Sequence, residues 1–398
     1  MPVKEFTIRE VNSKADWKRF LRLPWQLYKN DPLWVPPLLY DLKRQLNKKL
    51  NPFFKEAEAK YWIAFSGDEC IGRIAAIINH QHNEYYDEAT GFFGFFECIN
   101  DENAAAMLLG TAHEWLLQNR MKEVRGPVNL SLNNECGFLV EGFDRSPVLQ
   151  MNYNHRYYPE LLIACGYKKE HDLLAYYITD KIFSNDRVMK RLERITELVT
   201  RSEQIQFRNF RPFEMNDEVQ RVRKLFNDYM ADNWGFLPMT KPACAFMAES
   251  LKPVLVKELA IFAEINGAPV GSSLALPDLN YVVKKMNGKL FPFGIFTFLF
   301  YKRKIKDIRV MLMGLSKPYR KKGLEAVFIY KTILECFKRN ITGAELSWIS
   351  EDNTVLINEL EKMDAALYKR YRIYSMPLVD NITRKVNALH YEQAATNI

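Results

Sequence analysis

Along the chain, apolar runs of strand length alternate with stretches in which apolar residues recur at helical spacing. Residues 5–11 predict an opening strand, and a helix begins near Ser13 and carries Trp17, Phe20 and Leu21. Residues 32–37, around Trp34, read as an extended loop, because a residue before proline avoids the helical region. A basic helix over 40–50 follows, either a lid over substrate or a solvated outer helix. Residues 61–65 and 70–78 flank Ser66-Gly67-Asp68-Glu69, a hairpin signal, and 91–96 make an aromatic strand. Next come a helix from Asn103, a strand near 123–130, a loop over 131–142, a short helix ending at Gly166 and a strand over 173–179.

The order then repeats. A helix of alternating charge over 185–201 reads as a solvated connector. Residues 205–211 predict a strand and 217–230 a helix. Residues 259–264 and 268–276 enclose Asn266-Gly267, the clearest hairpin turn in the chain, and Pro277-Asp278-Leu279-Asn280 ends it. After an apolar insertion, residues 310–315 form a buried strand and Ser316-Lys317-Pro318-Tyr319-Arg320-Lys321-Lys322-Gly323 a basic turn. Leu324, Val327, Phe328, Ile333, Leu334 and Phe337 place a helix after it. A strand over 344–349 and the polar step Ser350-Glu351-Asp352-Asn353 lead into another helix. The basic turn thus opens a helix, where unpaired N–H groups and the macrodipole favour an anion.

Composition narrows the picture. A length of 398 residues implies two domains, and 48% apolar with 26% charged residues is globular. The net charge of +8 suits an anionic partner, but by itself does not separate CoA phosphates, lipid heads and nucleic acid. No basic stripe is interleaved with stacking aromatics, so no nucleic acid is expected. The six cysteines form no Cys-x-x-Cys pair, which argues against zinc and disulfides and fits a reducing cytosol. His80 and His82 on a strand would share a face, yet lack companion ligands, so no metal is expected. No signal-peptide core or spanning segment is visible, so a cytoplasmic, soluble or peripheral protein is expected. Residues 290–304 are strongly apolar and end in a basic cluster: an inter-domain core segment, or an edge for peripheral membrane contact.

The stretch from Arg309 to Tyr374 resembles the acyl-CoA-binding core of the GNAT superfamily of N-acyltransferases. Arg320-Lys321-Lys322-Gly323 matches the first half of that family's Gln/Arg-x-x-Gly-x-Gly/Ala motif, which cradles the CoA pyrophosphate on backbone amides. Glu325 stands where the small last residue belongs, with Ala326 one place late. Asn353 matches an Asn that opens the next helix, but Leu360 replaces the acid tyrosine and Asp364-Ala365 the Gly-Phe pair. The N-terminal half repeats the GNAT order and lacks the phosphate loop, since residues 96–101 are acidic there. Asn233-Trp234-Gly235-Phe236, Pro277-Asp278-Leu279-Asn280 and Lys369-Arg370-Tyr371-Arg372-Ile373-Tyr374 resemble signatures of bacterial tandem GNAT-like proteins. The fold implied is α/β (α+β): two tandem GNAT-like domains, each a mixed, mainly antiparallel sheet flanked by helices. Residues 1–182 would form the domain without a phosphate loop, 183–204 a helical connector, and 205–398 the acyl-CoA-binding domain.

The resemblance implies an N-acyltransferase using acetyl-CoA or a longer acyl-CoA, with a small-molecule or lipid amine as acceptor. Leu312, Met313, Gly314 and Leu315 would bind pantetheine and the carbonyl through backbone amides, and Arg320, Lys321, Lys322, Gly323 and Leu324 the pyrophosphate, with Asn353 beside them. Amine attack on a thioester needs a base. Glu351 and Asp278 are level candidates, and Tyr371 or Tyr374 could replace the missing acid. The alternative is a non-catalytic GNAT-like protein that binds CoA or an anionic membrane surface.

Overall fold

The computed structural model describes residues 5–182, 185–201, 205–290 and 294–378. The chain divides into two compact units, Met1–Leu173 with Arg370–Ile398, and Leu174–Lys369.

The first unit opens with β1 (Phe6–Glu10) and α1 (Lys14–Leu27), which starts with a reciprocal capping box between Ser13 and Asp16. α2 (Leu39–Gln45) is shorter than the basic helix expected. The hairpin of β2 (Ala57–Ser66) and β3 (Glu69–Asn79) is followed by α3 (His80–Tyr86), β4 (Thr90–Cys98), α4 (Glu102–Gln118) and β5 (Glu123–Gly126). β6 (Phe138–Glu141) lies in the segment expected to be loop; α5 (Tyr158–Ala164) and β7 (Lys168–Thr179) follow. β3 ends at Asn79, which caps α3, so His80 and His82 stand on a helix and not on a strand. Strands β1 to β5 pair in sequence order, antiparallel except for β4 with β5. α4 buries Ala104, Leu108, Ala112 and Leu116 against Ile74, Phe93 and Phe96, giving the unit its core.

The second unit contains α6 (Asp186–Thr200), β8 (Ile205–Asn209), α7 (Met215–Tyr229), α8 (Lys241–Leu251), β9 (Ala260–Ile265) and β10 (Ala268–Pro277). It continues with α9 (Asn280–Met286), α10 (Gly294–Tyr301), β11 (Asp307–Leu315), α11 (Leu324–Lys338), β12 (Gly343–Ser350), α12 (Thr354–Lys362) and the start of β13 (Ala366–Pro377). Its sheet runs β12-β11-β10-β9-β8, and only β11 with β12 is parallel. Asn266 and Gly267 take left-handed backbone, φ 51° and 76°, as the hairpin turn requires. α6 is not a solvated connector: Leu192 is buried in this unit's core, with Val188 and Met189 packed around it.

Each unit takes a strand from the other half of the sequence. β7 passes into the second unit after Leu173, and Leu174, Tyr176 and Ile178 enter that core. β13 passes into the first unit after Lys369; Tyr374 pairs with Gly126, Tyr371 with Leu139, and Tyr374, Met376 and Leu378 complete the first core. Asp172, 1% exposed, receives Arg372 at 2.8 and 2.9 Å and Arg370 at 3.3 Å, fixing the incoming strand by charge. The compact units therefore do not follow a division of the sequence into 1–182 and 205–398.

Candidate active site

β11 and β12 pair from Asp307 with Gly343 to Val310 with Leu346, and there the register ends. The other edge of β11 stays on β10, with Leu312, Met313, Gly314 and Leu315 opposite Leu274, Ser273, Ser272 and Gly271. Met311 is the extra residue of a bulge where the two parallel strands part. Leu312 packs toward Tyr229 and Phe262, whereas Leu315 packs toward Leu324 and Phe328. Gly314 lies under the Tyr229 ring, and a Cβ there would sit 2.5 Å from ring atom Cδ2.

Beyond Leu315 the loop folds back on itself. Arg320 donates from Nε to the Leu315 carbonyl at 3.1 Å and from Nη2 to the Tyr229 carbonyl at 3.3 Å. Its guanidinium thus ties the loop to β11 and to the end of α7. Lys317 pairs with Asp232 at 2.9 Å, and Lys321 and Lys322 are exposed. Gly323, at φ 82°, opens α11 and has no side chain to cap the N–H groups of its first turn. Leu324 is fully buried behind it, and Glu325 is half-buried in the first turn.

The matching place in the first unit is filled. Asp101 caps α4, its carboxylate accepting from the N–H groups of Asn103 and Ala104 at 3.0 and 3.1 Å. β4 and β5 do not part: the Val128 N–H donates to the Phe93 carbonyl at 2.7 Å, and Asn129 Oδ1 accepts from the Phe95 N–H at 2.8 Å. Glu97, expected in an acidic turn, is instead half-buried on β4 and accepts from Tyr158 at 2.7 Å, Tyr28 at 3.0 Å and Arg73 at 3.4 Å. Burial raises its pKa against those partners.

A buried charge cluster sits where β11 and β12 part. Arg309 and Glu345 are opposite each other in the register and are 4% and 0% exposed. Ser347 donates to Glu345 at 2.5 Å and receives the Arg309 Nε–H at 3.0 Å; Tyr368 also donates to Glu345. The buried Lys369 ammonium lies 5.4 Å from the centre of the Tyr368 ring. Below the cluster, Tyr177 donates to Asp307 at 2.5 Å. Burial raises the Glu345 pKa, and Arg309, Ser347 and Lys369 oppose the shift. Two cations around one enclosed carboxylate give a group whose proton affinity is set by its neighbours.

No protein-family model matches the chain. Over 92% of its length the chain is 35% identical to protein YghO of Escherichia coli K12, covering 94% of that protein. Over 94% of its length it is 30% identical to the bacterial ceramide synthase of Caulobacter vibrioides, covering 98% of that protein. A solved tandem GNAT protein from the clavulanic acid biosynthesis pathway superposes with a TM-score of 0.57 over 94% of this chain and 99% of that one, at 10% identity. The chain belongs to the family of YghO and the Caulobacter enzyme, and its fold is that of a tandem GNAT protein.

In this YghO-family chain the residues singled out from the sequence fall into separate groups. Residues 312–315, Arg320 to Leu324 and the parting strands lie in one run of the second unit. Asn353 caps α12, its Oδ1 accepting from the Leu356 N–H at 3.2 Å. Asp278 lies level with Asp307, to whose carbonyl its N–H donates at 2.8 Å, and its carboxylate accepts from the Asn280 N–H at 3.0 Å. Glu351 follows β12 at the opposite end, about 25 Å along the strand at about 3.3 Å per residue. The two carboxylates do not form one site. Tyr371 is wholly enclosed in the first unit, and Tyr374 is 2% exposed there. Leu360, at the position of the family's acid tyrosine, is buried among apolar side chains. The Arg309–Glu345–Ser347–Tyr368–Lys369 cluster was missed by the sequence reading. Its one signal was Glu345 and Ser347 alternating with Ala344 and Leu346, a pattern that ordinarily turns the polar residues to water.

Proposed function

We propose that the protein is an acyl-CoA-dependent N-acyltransferase whose donor site is the gap between β11 and β12, with an amine as acceptor. The observation that carries this reading is the parted strand pair running directly into a basic loop and an uncapped helix start. Lys321, Lys322 and the α11 amides would hold the CoA phosphates, and Arg320 would keep their loop in place. Pantetheine would run along residues 311–315, whose amides stabilise the oxyanion as the thioester carbonyl becomes tetrahedral. Glu345, through the half-buried Tyr368 that it holds, takes the proton of the attacking amine. The C–N bond forms, the C–S bond breaks, and the proton leaves with the CoA thiolate. The first unit, with Asp101 on its helix and its strands closed, would not bind CoA. The name of the Caulobacter relative makes a long-chain lipid amine the acceptor class to test first, with acetyl-CoA and palmitoyl-CoA as alternative donors.

Calorimetry with CoA and thiol release with a sphingoid amine test the reading. Lys321→Glu with Lys322→Glu should weaken CoA binding by at least about tenfold, a change of about 1.4 kcal/mol. Glu345→Gln should leave CoA affinity nearly unchanged and slow thiol release by about a hundredfold or more. Wild-type turnover in Glu345→Gln would remove Glu345 as the base. The absence of a hydroxyl at Leu360 favours a second reading, a CoA-binding protein without turnover. Tight CoA binding with no thiol release from any amine would select it.

A further inference from the structure

Between β10 and β11 the chain inserts α9 and α10. Phe291, Pro292 and Phe293 lie outside the described residues; the rest of the insertion is described. On α10, Ile295, Phe296, Leu299 and Phe300 are 44%, 67%, 51% and 63% exposed, a contiguous apolar face at helical spacing. Gly294 anchors the opposite side, buried against Met286 and the Lys289 carbonyl. From Leu279 to Lys306 the sequence contains Lys284, Lys285, Lys289, the triplet Lys302-Arg303-Lys304 and Lys306, and not one carboxylate. Lys285 lies over the Tyr281 and Tyr301 rings at 5.4 and 5.0 Å, and Lys304 over Phe300 and Tyr301 at 4.7 and 5.2 Å. Ammonium groups held over aromatic rings keep the positive charge directly beside the apolar face.

We propose that this α9–α10 insertion is a docking surface for an anionic lipid bilayer. The exposed phenylalanines and leucine enter the boundary between headgroups and acyl chains, and the acid-free basic rim meets the lipid phosphates. Two forces acting together suit a reversible attachment, since among the described residues no helix is long and apolar enough to cross a membrane. A second copy of the chain is a poorer occupant, because this rim would face its own positive charge. The inference stands apart from the N-acyltransferase reading and requires neither CoA nor an amine.

Vesicle flotation of the full chain, with phosphatidylcholine alone or with about 30% phosphatidylglycerol, keeps the two apart because neither lipid carries an acylatable amine. The chain should float with the anionic vesicles, stay behind with the neutral ones, and be released by about 0.5 M salt. Phe296→Ser with Phe300→Ser, and separately Lys302→Glu with Lys304→Glu, should each lower the bound fraction at least about fivefold. All these residues are exposed, so the melting temperature should stay near that of the wild type, and CoA affinity should be unchanged. Failure to float with anionic vesicles, or binding at the wild-type level by either variant, overturns the proposal. A concentration-dependent dimer lost in the phenylalanine variant, without vesicle binding, would assign the face to a second copy instead.

Discussion

His113, on α4, is fully enclosed, and its Nε2 shares a 2.7 Å hydrogen bond with the Tyr167 hydroxyl. Burial holds its pKa down, at about 3 against an ordinary value of 6.5. Between those values the unfolded chain binds a proton that the native chain refuses. This contribution is therefore complete above about pH 6.5 and is lost as the pH falls toward 3, at up to about 1.4 kcal/mol per pH unit. Chemical denaturation at pH 6.5, 5.5 and 4.5 should show that slope, and His113→Gln should flatten it; equal slopes in the two proteins would refute the assignment. Individual side chains were the least legible part of the sequence. Glu345 and Ser347 alternate with Ala344 and Leu346, a spacing that does not say which face is covered, and in β12 it is the polar pair that is buried in the charge cluster. Arg320 matched a phosphate-binding motif, but its planar donors find backbone carbonyls 3.1 and 3.3 Å away. Such outcomes depend on what packs overhead, which no local spacing records.

At the scale of elements, the two helices that follow the central strands differ at one position each. α4 starts under the Asp101 carboxylate, whereas α11 starts at Gly323, which has no side chain to offer as a cap. This contrast was visible in the sequence, because caps and glycines act locally. So was the Asn266-Gly267 hairpin, whose turn chemistry is complete within a few residues. α6 was misread as solvated: its charges mark one face, and the apolar face on Leu192 and Val199 found α11's neighbours. Gly323 couples these facts, since a Cβ there would lie 3.0 Å from Ile195 Cγ2 on α6. Gly323→Ala should cost about 1–2 kcal/mol through the left-handed backbone and should also weaken CoA binding by moving the helix start. A melting curve and a CoA titration check both effects; an unchanged melting temperature would show that the backbone relaxes there.

For the whole molecule, the tandem repeat was legible as a repeated order of strands and helices, but the partition was not. Pairing of β13 with β5 and β6 joins residues remote in sequence, and no periodicity encodes which strand fills a gap. Expression of residues 5–182 alone should therefore fail to give a cooperative fold. That fragment lacks Tyr374, Met376 and Leu378 from its core and leaves Asp172 buried without Arg370 and Arg372. Lys169 stays beside Asp172 at 3.1 Å in the fragment, so the loss of the two arginines should cost less than the roughly 3–5 kcal/mol typical of a buried charge left alone. Adding a peptide spanning 366–378 should restore part of the order, read as recovered amide dispersion by NMR; a stable fragment without it would disprove the dependence.

The shared strand also sets a clock during synthesis. The first unit is translated through Leu173 long before Arg370 exists, so its sheet waits for a strand that lies 197 residues downstream. At roughly 5–20 residues per second the wait is roughly 10–40 s, during which β5 has an open edge on the ribosome. Chaperone occupancy on nascent chains should therefore remain high past the midpoint of translation and fall only as residues 370–378 emerge.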